Sequence, residues 1–193
     1  MFSVVSLLFA MTIAMAACGN GKSTAPTDEI VFSADREGNI DIYKLGGASG
    51  EISRLTSAQG KDHSPAWSPK RDVIGFLTDR NSSNELWLMD WNGESKRQLS
   101  GPGKTISAFR WAPNSKVIAI EIEETRSRWI AIIDIETGEI TPLTSTEEDV
   151  RIGGWSPDAQ WLLYAMVNSD SDGLRKRNPN GVDEITITSG FHT

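Results

Sequence analysis

A short motif led by tryptophan recurs in this chain at a constant step of 44 residues. It stands at positions 67, 111 and 155, and proline follows two residues later each time. The apolar runs behind the motif keep the same step, as do the Leu-Thr or Leu-Ser pairs that close the units. Such a period predicts a fold built from one supersecondary unit used several times. The motif residues are Trp67, Pro69, Trp111, Pro113, Trp155 and Pro157, and the closing pairs begin at Leu55, Leu99 and Leu143.

Each unit has the pattern of a small antiparallel sheet. In the second unit, strand-like stretches at 64–67, 73–78 and 85–89 alternate with polar turns. No segment has a convincing helical period. Four short strands in about forty residues are typical of one blade of a β-propeller. We therefore predict an all-β propeller of four-stranded antiparallel blades, with units at approximately 30–60, 61–104, 105–148 and 149–193.

The repeated residues are predicted to have structural roles. A tryptophan ring at the end of a blade's first strand can fill the wedge between neighbouring blades and bury a large apolar area. The proline two residues later ends that strand. Two Asp-Arg pairs, which begin at Asp35 and Asp79, are expected in the second hairpin of their units, where the aspartate can accept backbone N–H bonds across the turn.

The units do not add up to a closed ring. The first begins at Ile30 with what should be a second strand. In the last unit we take 183–188 as the third strand, after an enlarged loop at 168–182; a competing alignment makes 185–188 the fourth strand and loses the third. About three and a half blades result, which leaves unpaired strand edges. We therefore expect a truncated gene product or a propeller completed by self-association.

The amino terminus reads as an export signal. Residues 1–17 contain an apolar run that is too short to span a bilayer comfortably and ends in small residues. Met15-Ala16-Ala17-Cys18 resembles the lipobox of bacterial lipoproteins, and Cys18 is the only cysteine, so it has no disulfide partner within the molecule. We predict lipid attachment at Cys18 and a flexible polar tether over 18–29. The alternative is ordinary cleavage after 14–16, which yields a secreted protein with one free thiol.

At these residues the sequence resembles the TolB-like propeller repeats, which are related to WD repeats. The family signature runs approximately W-S-P-D-G, an apolar strand, S-D-R-x-G and an I-Y-like strand. Here Trp67-Ser68-Pro69 is followed by Asp79-Arg80, and Trp155-Ser156-Pro157-Asp158 is followed by Ala159 where the family has glycine. The resemblance covers about residues 30–189. It implies a bacterial envelope protein that contacts other envelope proteins and lipoproteins.

Net charge and histidine content limit the classes of function that are expected for this chain. A net charge of -7 repels phosphate backbones, so nucleic acid is not expected as a partner. The two histidines, His63 and His192, are too few for a histidine-rich metal site and poorly placed for a Ser-His-Asp arrangement. The acidic clusters at 121–124 and 147–149 are interpreted as solvated faces. We predict no catalytic residue, no metal and no cofactor.

One loop resembles the start of a calcium site. Residues 168–173 (NSDSDG) place oxygen donors at positions 1, 3 and 5 and glycine at position 6. Position 12 is Pro179 rather than a glutamate, and residues 175–177 bring three positive charges. A solvated hairpin loop is the favoured interpretation, and calcium binding is left open.

The leading functional prediction is a membrane-anchored, non-catalytic scaffold that binds envelope proteins or peptides and faces the periplasm or the cell exterior. Some TolB-like propellers are metal-dependent oligogalacturonate lyases, and others cap prolyl-oligopeptidase hydrolases. The resemblance therefore leaves two alternatives: a glycan-binding or degenerate polysaccharide-lyase-like propeller, and a fragment of a longer propeller protein.

Overall fold

The computed structural model describes residues 28–167 and 172–189, and every helix-or-strand element in these ranges is a β-strand. The strands form four antiparallel sheets, which we call blades 1 to 4 in chain order. Blade 1 has three strands within the described residues, and the other blades have four each. The all-β fold and its four-stranded blades, both predicted from the repeat, are confirmed.

Each blade is a meander in which consecutive strands pair. Blade 1 contains β1 (Ile30–Arg36), β2 (Asn39–Leu45) and β3 (Ile52–Arg54). Blade 2 contains β4 (Asp62–Trp67), β5 (Val73–Thr78), β6 (Glu85–Asp90) and β7 (Arg97–Gln98). Blade 3 contains β8 (Thr105–Trp111), β9 (Val117–Glu123), β10 (Arg128–Asp134) and β11 (Ile140–Pro142). Blade 4 contains β12 (Val150–Trp155), β13 (Leu162–Met166), β14 (Gly173–Arg177) and β15 (Glu184–Ser189).

The tryptophan motif also builds the turn that follows the first strand of blades 2, 3 and 4. Proline fixes φ at the second position, and the fourth residue donates its N–H to the carbonyl of the first at 2.8–2.9 Å. That fourth residue has a positive φ in all three turns, a conformation that costs a residue with a Cβ and that glycine adopts without strain. The residues are Arg71 (φ 57°), Ser115 (φ 57°) and Ala159 (φ 59°).

The apolar core lies between blades rather than within one sheet. Ile42 of blade 1 packs with Phe76 of blade 2, and Leu88 of blade 2 belongs to the same cluster as Ile133 of blade 3. A third cluster joins blades 3 and 4 around Tyr164. Because the middle blades are covered on both faces, their second strands are apolar almost throughout.

The preferred alignment of the last unit was wrong. Residues 184–189 form the fourth strand of blade 4, and the third strand is β14, inside the stretch taken as an enlarged loop. The step of 44 residues makes β14 the counterpart of β10 in the next blade. Its sequence, Gly-Leu-Arg-Lys-Arg, lacks the apolar character of β10. Blade 4 therefore has four strands, and within the described ranges blade 1 is the sheet that has three.

Contacts within blade 4 explain why this polar strand is stable. Arg175 and Arg177 both lie within 3.4 Å of Glu184 on β15, so the positive charges have a local counter-ion. Glu184 also accepts a hydrogen bond of 2.7 Å from the Tyr164 hydroxyl on β13. Burial of the phenol, together with this hydrogen bond, raises the pKa of Tyr164 above its ordinary value.

Candidate functional site

The three motif tryptophans lie between neighbouring blades. Trp67, Trp111 and Trp155 each pack against the apolar cluster that joins their own blade to the preceding one. Two of them also link the first strands of those blades. The Trp111 Nε1–H donates to the carbonyl of Ala66, and the Trp155 Nε1–H donates to the carbonyl of Arg110, both at 3.2 Å.

Trp67 differs from the other two in its hydrogen bonding. Its Nε1 atom is buried and has no hydrogen-bond partner among the described residues. The acceptor used by the later tryptophans is the residue just before the tryptophan of the preceding blade. Blade 1 offers no such carbonyl between 28 and 189, because its sheet begins there with the second strand, β1.

Arg71 covers part of the same region. Its guanidinium lies 4.6 Å from the centre of the Trp67 ring, and its Nη2 donates to the carbonyl of Glu29 at 2.9 Å. In blades 2 to 4 the corresponding carbonyl accepts the N–H of the residue that follows the motif tryptophan, as Val73 does from Ser68 at 2.8 Å. In blade 1, the Arg71 side chain therefore donates to the carbonyl that accepts a backbone N–H in the other blades.

The two aspartates of the Asp-Arg pairs are not equivalent. The Asp79 carboxylate accepts the N–H of Lys61 at 2.6 Å, just before β4, rather than an N–H of its own hairpin. Asp35 is exposed and lies within β1, one residue before its end. The hairpin turn of blade 1 follows β1 and contains Glu37 and Gly38. The hairpin interpretation holds for neither carboxylate.

A closing hydroxyl repeats in every blade. The side-chain oxygens of Thr56, Ser100 and Thr144 accept a buried backbone N–H at 2.9–3.0 Å. The donors are Ile42, Leu86 and Ile130, each within the strand of its blade that corresponds to β6. Thr188 accepts the N–H of Leu174 at 3.4 Å in the same way. Thr56, Ser100 and Thr144 follow the closing leucines, so the pairs that marked unit ends in the sequence have this role, and Thr188 follows Ile187.

Glu121 corrects the interpretation of the acidic clusters. It is 5% exposed rather than solvated. Its two carboxylate oxygens accept the Ser107 hydroxyl at 2.7 Å and the Ile152 N–H at 3.0 Å, so it joins the first strands of blades 3 and 4. Its neighbours Glu123 and Glu124 are exposed.

A second acid is buried at the start of the first strand of blade 2. Asp62 is fully buried and accepts a hydrogen bond of 2.9 Å from Arg80. Arg80 in turn lies 4.3 Å from the centre of the Trp87 ring. Removal of either partner would leave a buried charge without compensation, so this ion pair is structural.

No metal site was found within the described part of the chain: no group of three or more His, Cys, Asp or Glu side chains there could hold an ion. The His63 ring lies 3.1 Å from the Ser64 hydroxyl and 3.3 Å from the Asn84 amide oxygen. His192 falls outside the described residues, as do 168–171 of the calcium-like loop.

Gly173, the last residue of that loop, is the first residue of β14. A Cβ at this position would collide with the backbone carbonyl of Thr188 on the neighbouring strand. The close approach of two strands therefore requires glycine here, independently of any ion.

The amino-terminal predictions are tested only at their boundary. Residues 1–27, including Cys18, lie outside the described residues. Asp28 accepts the Ala48 N–H at 3.1 Å, and Glu29 pairs with Lys44 at 3.1 Å, so these two residues belong to blade 1 rather than to a tether. No helix within 28–167 or 172–189 is long and apolar enough to cross a membrane.

Open clefts lie between adjacent blades. One of them, with a volume of about 830 Å³, lies between blades 2 and 3 and is lined by Arg97, Lys116, Asp134 and Glu136 among others. The Asp134 carboxylate accepts N–H bonds from Thr137 and Glu136, and these bonds lower the pKa of Asp134. The charged side chains named in the lining of this cleft therefore have both signs.

Antiparallel four-stranded blades, joined by tryptophan wedges, define the structural class as a β-propeller. The chain belongs to the TolB β-propeller domain family, whose sequence profile matches residues 12–190. The resemblance found in the repeat motif is thereby confirmed.

Two curated relatives share part of this sequence. The chain is 21% identical over 175 residues to the uncharacterized peptidase YuxL of Bacillus subtilis strain 168, an alignment covering 72% of this chain and 26% of YuxL. It is 32% identical over 103 residues to the uncharacterized protein YidR of Escherichia coli K12, covering 50% of this chain and 23% of YidR. The chain therefore spans about a quarter of the length of these relatives.

Solved structures show the same fold. TolB from Acinetobacter baumannii superposes with a TM-score of 0.66 and 24% identity, over 84% of this chain and 41% of that protein. A putative TolB from Agrobacterium tumefaciens gives 0.69 and 15%, over 83% and 61%. An oligogalacturonate lyase in complex with manganese gives 0.63 and 17%, over 78% and 42%.

Proposed function

We propose that this protein is an exported, lipid-anchored β-propeller that binds envelope proteins or peptides and performs no catalysis itself. Membership of the TolB propeller family supports export and a binding role. The lipobox-like residues before Cys18 support the anchor.

The observation that carries the binding role is the distribution of exposed apolar side chains. Among the described residues, the large apolar side chains that are exposed all belong to blade 1 or blade 4. Ile185 and Ile187 are 45% and 49% exposed, and both lie on β15, whose pairing with β14 has an irregularity at Ile187. Exposed apolar side chains close together on one strand are typical of protein contact surfaces.

The role of recurrent polar residues also supports a scaffold. The indole N–H groups of Trp111 and Trp155 and the closing hydroxyls bind the backbone of the blades. Glu121 bridges two blades as well. Side chains used in this way hold the scaffold together, so binding falls to exposed faces, edges and loops.

Cross-linking in intact cells followed by mass spectrometry tests the proposal. We expect defined envelope proteins on the wild-type chain and their loss from an Ile185→Ser/Ile187→Ser variant. Thr186→Ser, a polar substitution between them on β15, is the matched control and should retain them. If neither the wild type nor the control captured a defined protein, the binding role would be wrong.

A glycan-handling role is the second candidate, supported by the shared fold of the oligogalacturonate lyase. The donor set does not favour a lyase-like metal centre, since the described residues include no clustered ligands. Binding on a glycan array, or metal-dependent β-elimination of a polygalacturonate substrate, would support this candidate over the first.

A further inference from the structure

The free edge of β1 is the feature of the fold that most resembles an unfilled binding site. Blades 2, 3 and 4 each begin with a strand that pairs with the second strand, whereas the described part of blade 1 begins with β1. The step of 44 residues makes β5 the counterpart of β1. The bonds that β5 makes to β4 therefore show what the edge of β1 can bind.

The backbone groups available at this edge follow from the pairing in blade 2. The Ser68 N–H donates to the Val73 carbonyl at 2.8 Å, and the Asp79 N–H donates to the Lys61 carbonyl at 3.2 Å. Bonding groups alternate along an antiparallel ladder, so every second residue from 73 to 79 faces β4. The counterparts in blade 1 are residues 29, 31, 33 and 35, and Val31 and Ser33 thus present backbone groups at the free edge.

Two side chains beside the edge are suited to a backbone strand. The Trp67 Nε1–H is buried without a partner among the described residues, whereas Trp111 and Trp155 donate to first-strand carbonyls. Asp35 is exposed, whereas its counterpart Asp79 accepts a backbone N–H beside the first strand of blade 2. A carbonyl beside Trp67 and an N–H beside Asp35 would supply both missing contacts.

We propose that this edge accepts an extended peptide segment of a protein partner, which pairs antiparallel with β1 as the first strand of blade 1. The inference rests on the proposed protein-binding function and specifies where and how the partner binds. Main-chain hydrogen bonds supply the affinity, as in other cases of strand addition. An aromatic residue near the end of the segment, in the position that tryptophan has in the other blades, supplies the apolar contact.

A partner segment fits this edge better than the residues that precede β1 in this sequence or a second copy of the chain. The chain's own residues at this register, 18–23, read CGNGKS and provide no aromatic residue. A second copy would have to withdraw a first strand from a complete blade and break an existing ladder. An extended segment of another protein meets neither difficulty.

The test uses a fluorescein-labelled peptide, KTISAFRWAP, which copies residues 104–113 around β8. Fluorescence anisotropy measures its binding to the full chain. Ser33→Pro removes an edge N–H at a position where proline is tolerated, and Ser33→Ala is the matched control. We expect binding about tenfold weaker with Ser33→Pro and unchanged with Ser33→Ala. Trp67→Phe should weaken binding about fivefold, the value of one net hydrogen bond.

A change in the peptide alone keeps the test valid if Ser33→Pro fails to fold. In the protein, Ala112 donates to Val117, so by alternation the Arg110 N–H also faces β9 and the Phe109 N–H faces away. N-methylation at the residue that copies Arg110 should abolish binding. N-methylation at the residue that copies Phe109 should leave it intact.

Several results would overturn the proposal. Equal binding by Ser33→Pro and Ser33→Ala, or equal effects of the two methylations, would exclude strand addition at β1. The peptide could bind a variant that begins at Asp28 but not the full chain. That result would show that the protein's own amino-terminal residues occupy the edge. A dimer that the peptide dissociates would assign it to a second copy. Capture of the same envelope proteins by Ser33→Pro and wild type would leave the binding function standing and move its site elsewhere.

Discussion

The motif tryptophans show how one side chain at one position of a repeat can have unequal energetic value. All three rings lie between blades, but among the described residues only Trp111 and Trp155 have a carbonyl acceptor for their indole N–H. A buried donor without a partner costs free energy, whereas a donor in a hydrogen bond contributes about 1 kcal/mol. The free edge of blade 1 therefore affects the stability of blade 2.

Paired substitutions measure this difference. Trp111→Phe should destabilise the chain by about 1 kcal/mol more than Trp67→Phe, because both lose similar apolar area but only the first loses a hydrogen bond. Urea denaturation of the two variants gives the comparison. Equal losses of unfolding free energy would show that Trp67 has an acceptor as well.

The turn residue at 159 offers a substitution that should stabilise the fold. Ala159 has φ 59°, a conformation that costs about 1–2 kcal/mol with a Cβ and none with glycine. Ala159→Gly should raise the free energy of unfolding by about 0.5–1 kcal/mol, since part of the gain is offset by the entropy of glycine in the unfolded chain. Thermal melting measures it. Ala112→Gly, at a fully buried position with no positive φ, is the control and should lower stability.

At the scale of the strand, the closing hydroxyl is the recurrent polar contact that sequence reasoning located without explaining. Thr144→Val keeps the shape of the side chain but leaves the buried Ile130 N–H without its 2.9 Å acceptor. The expected cost is about 1–3 kcal/mol of unfolding free energy. Thr141→Val, at an exposed position of β11, should change stability by less than about 0.5 kcal/mol. Equal effects of the two variants would contradict the role of the hydroxyl.

Strands could be predicted where they are buried on both faces, because such strands consist of a continuous apolar run. β5 was predicted at its observed bounds, because VIGFLT is covered by two neighbouring blades. β14 was missed, because its charged side chains are stabilised by one glutamate on the adjacent strand, and such pairing leaves no local signature. The step of 44 residues from Ile130 to Leu174 was the available signal. Strict use of this step would have predicted a strand at β14 although its sequence is polar.

The candidate site also has features that the sequence predicts and features that depend on contacts between blades. The repeat identified Trp67, Trp111 and Trp155, and the structure places these rings against the apolar clusters between blades. Whether each indole N–H has an acceptor depends on the preceding blade, which is remote in sequence. The burial of Glu121 was equally hidden, because its partners Ser107 and Ile152 lie on different blades.

At the scale of the whole molecule, the lipid anchor proposed at Cys18 would determine where the propeller acts. Cys18→Ser should move the protein from the membrane fraction to the soluble fraction, because a lipidated cysteine is the only anchor predicted from the sequence. Metabolic labelling with a fatty acid should also disappear. Ser23→Ala, in the same polar stretch, is the control and should leave both readouts unchanged. Unaltered fractionation of Cys18→Ser would contradict lipid anchoring.

The arrangement of blades is the basis of the binding site proposed at the edge of β1. Three complete blades begin with a tryptophan-bearing strand, and the described part of blade 1 begins one strand later, with a free edge. Hydrogen exchange of individual amides, followed by NMR on the full chain, tests this directly. The amides of Val31 and Ser33 should exchange fast, while those of their counterparts Gly75 and Leu77 should be protected. Equally strong protection at all four amides would contradict the account, because it would mean that the edge of β1 is already paired.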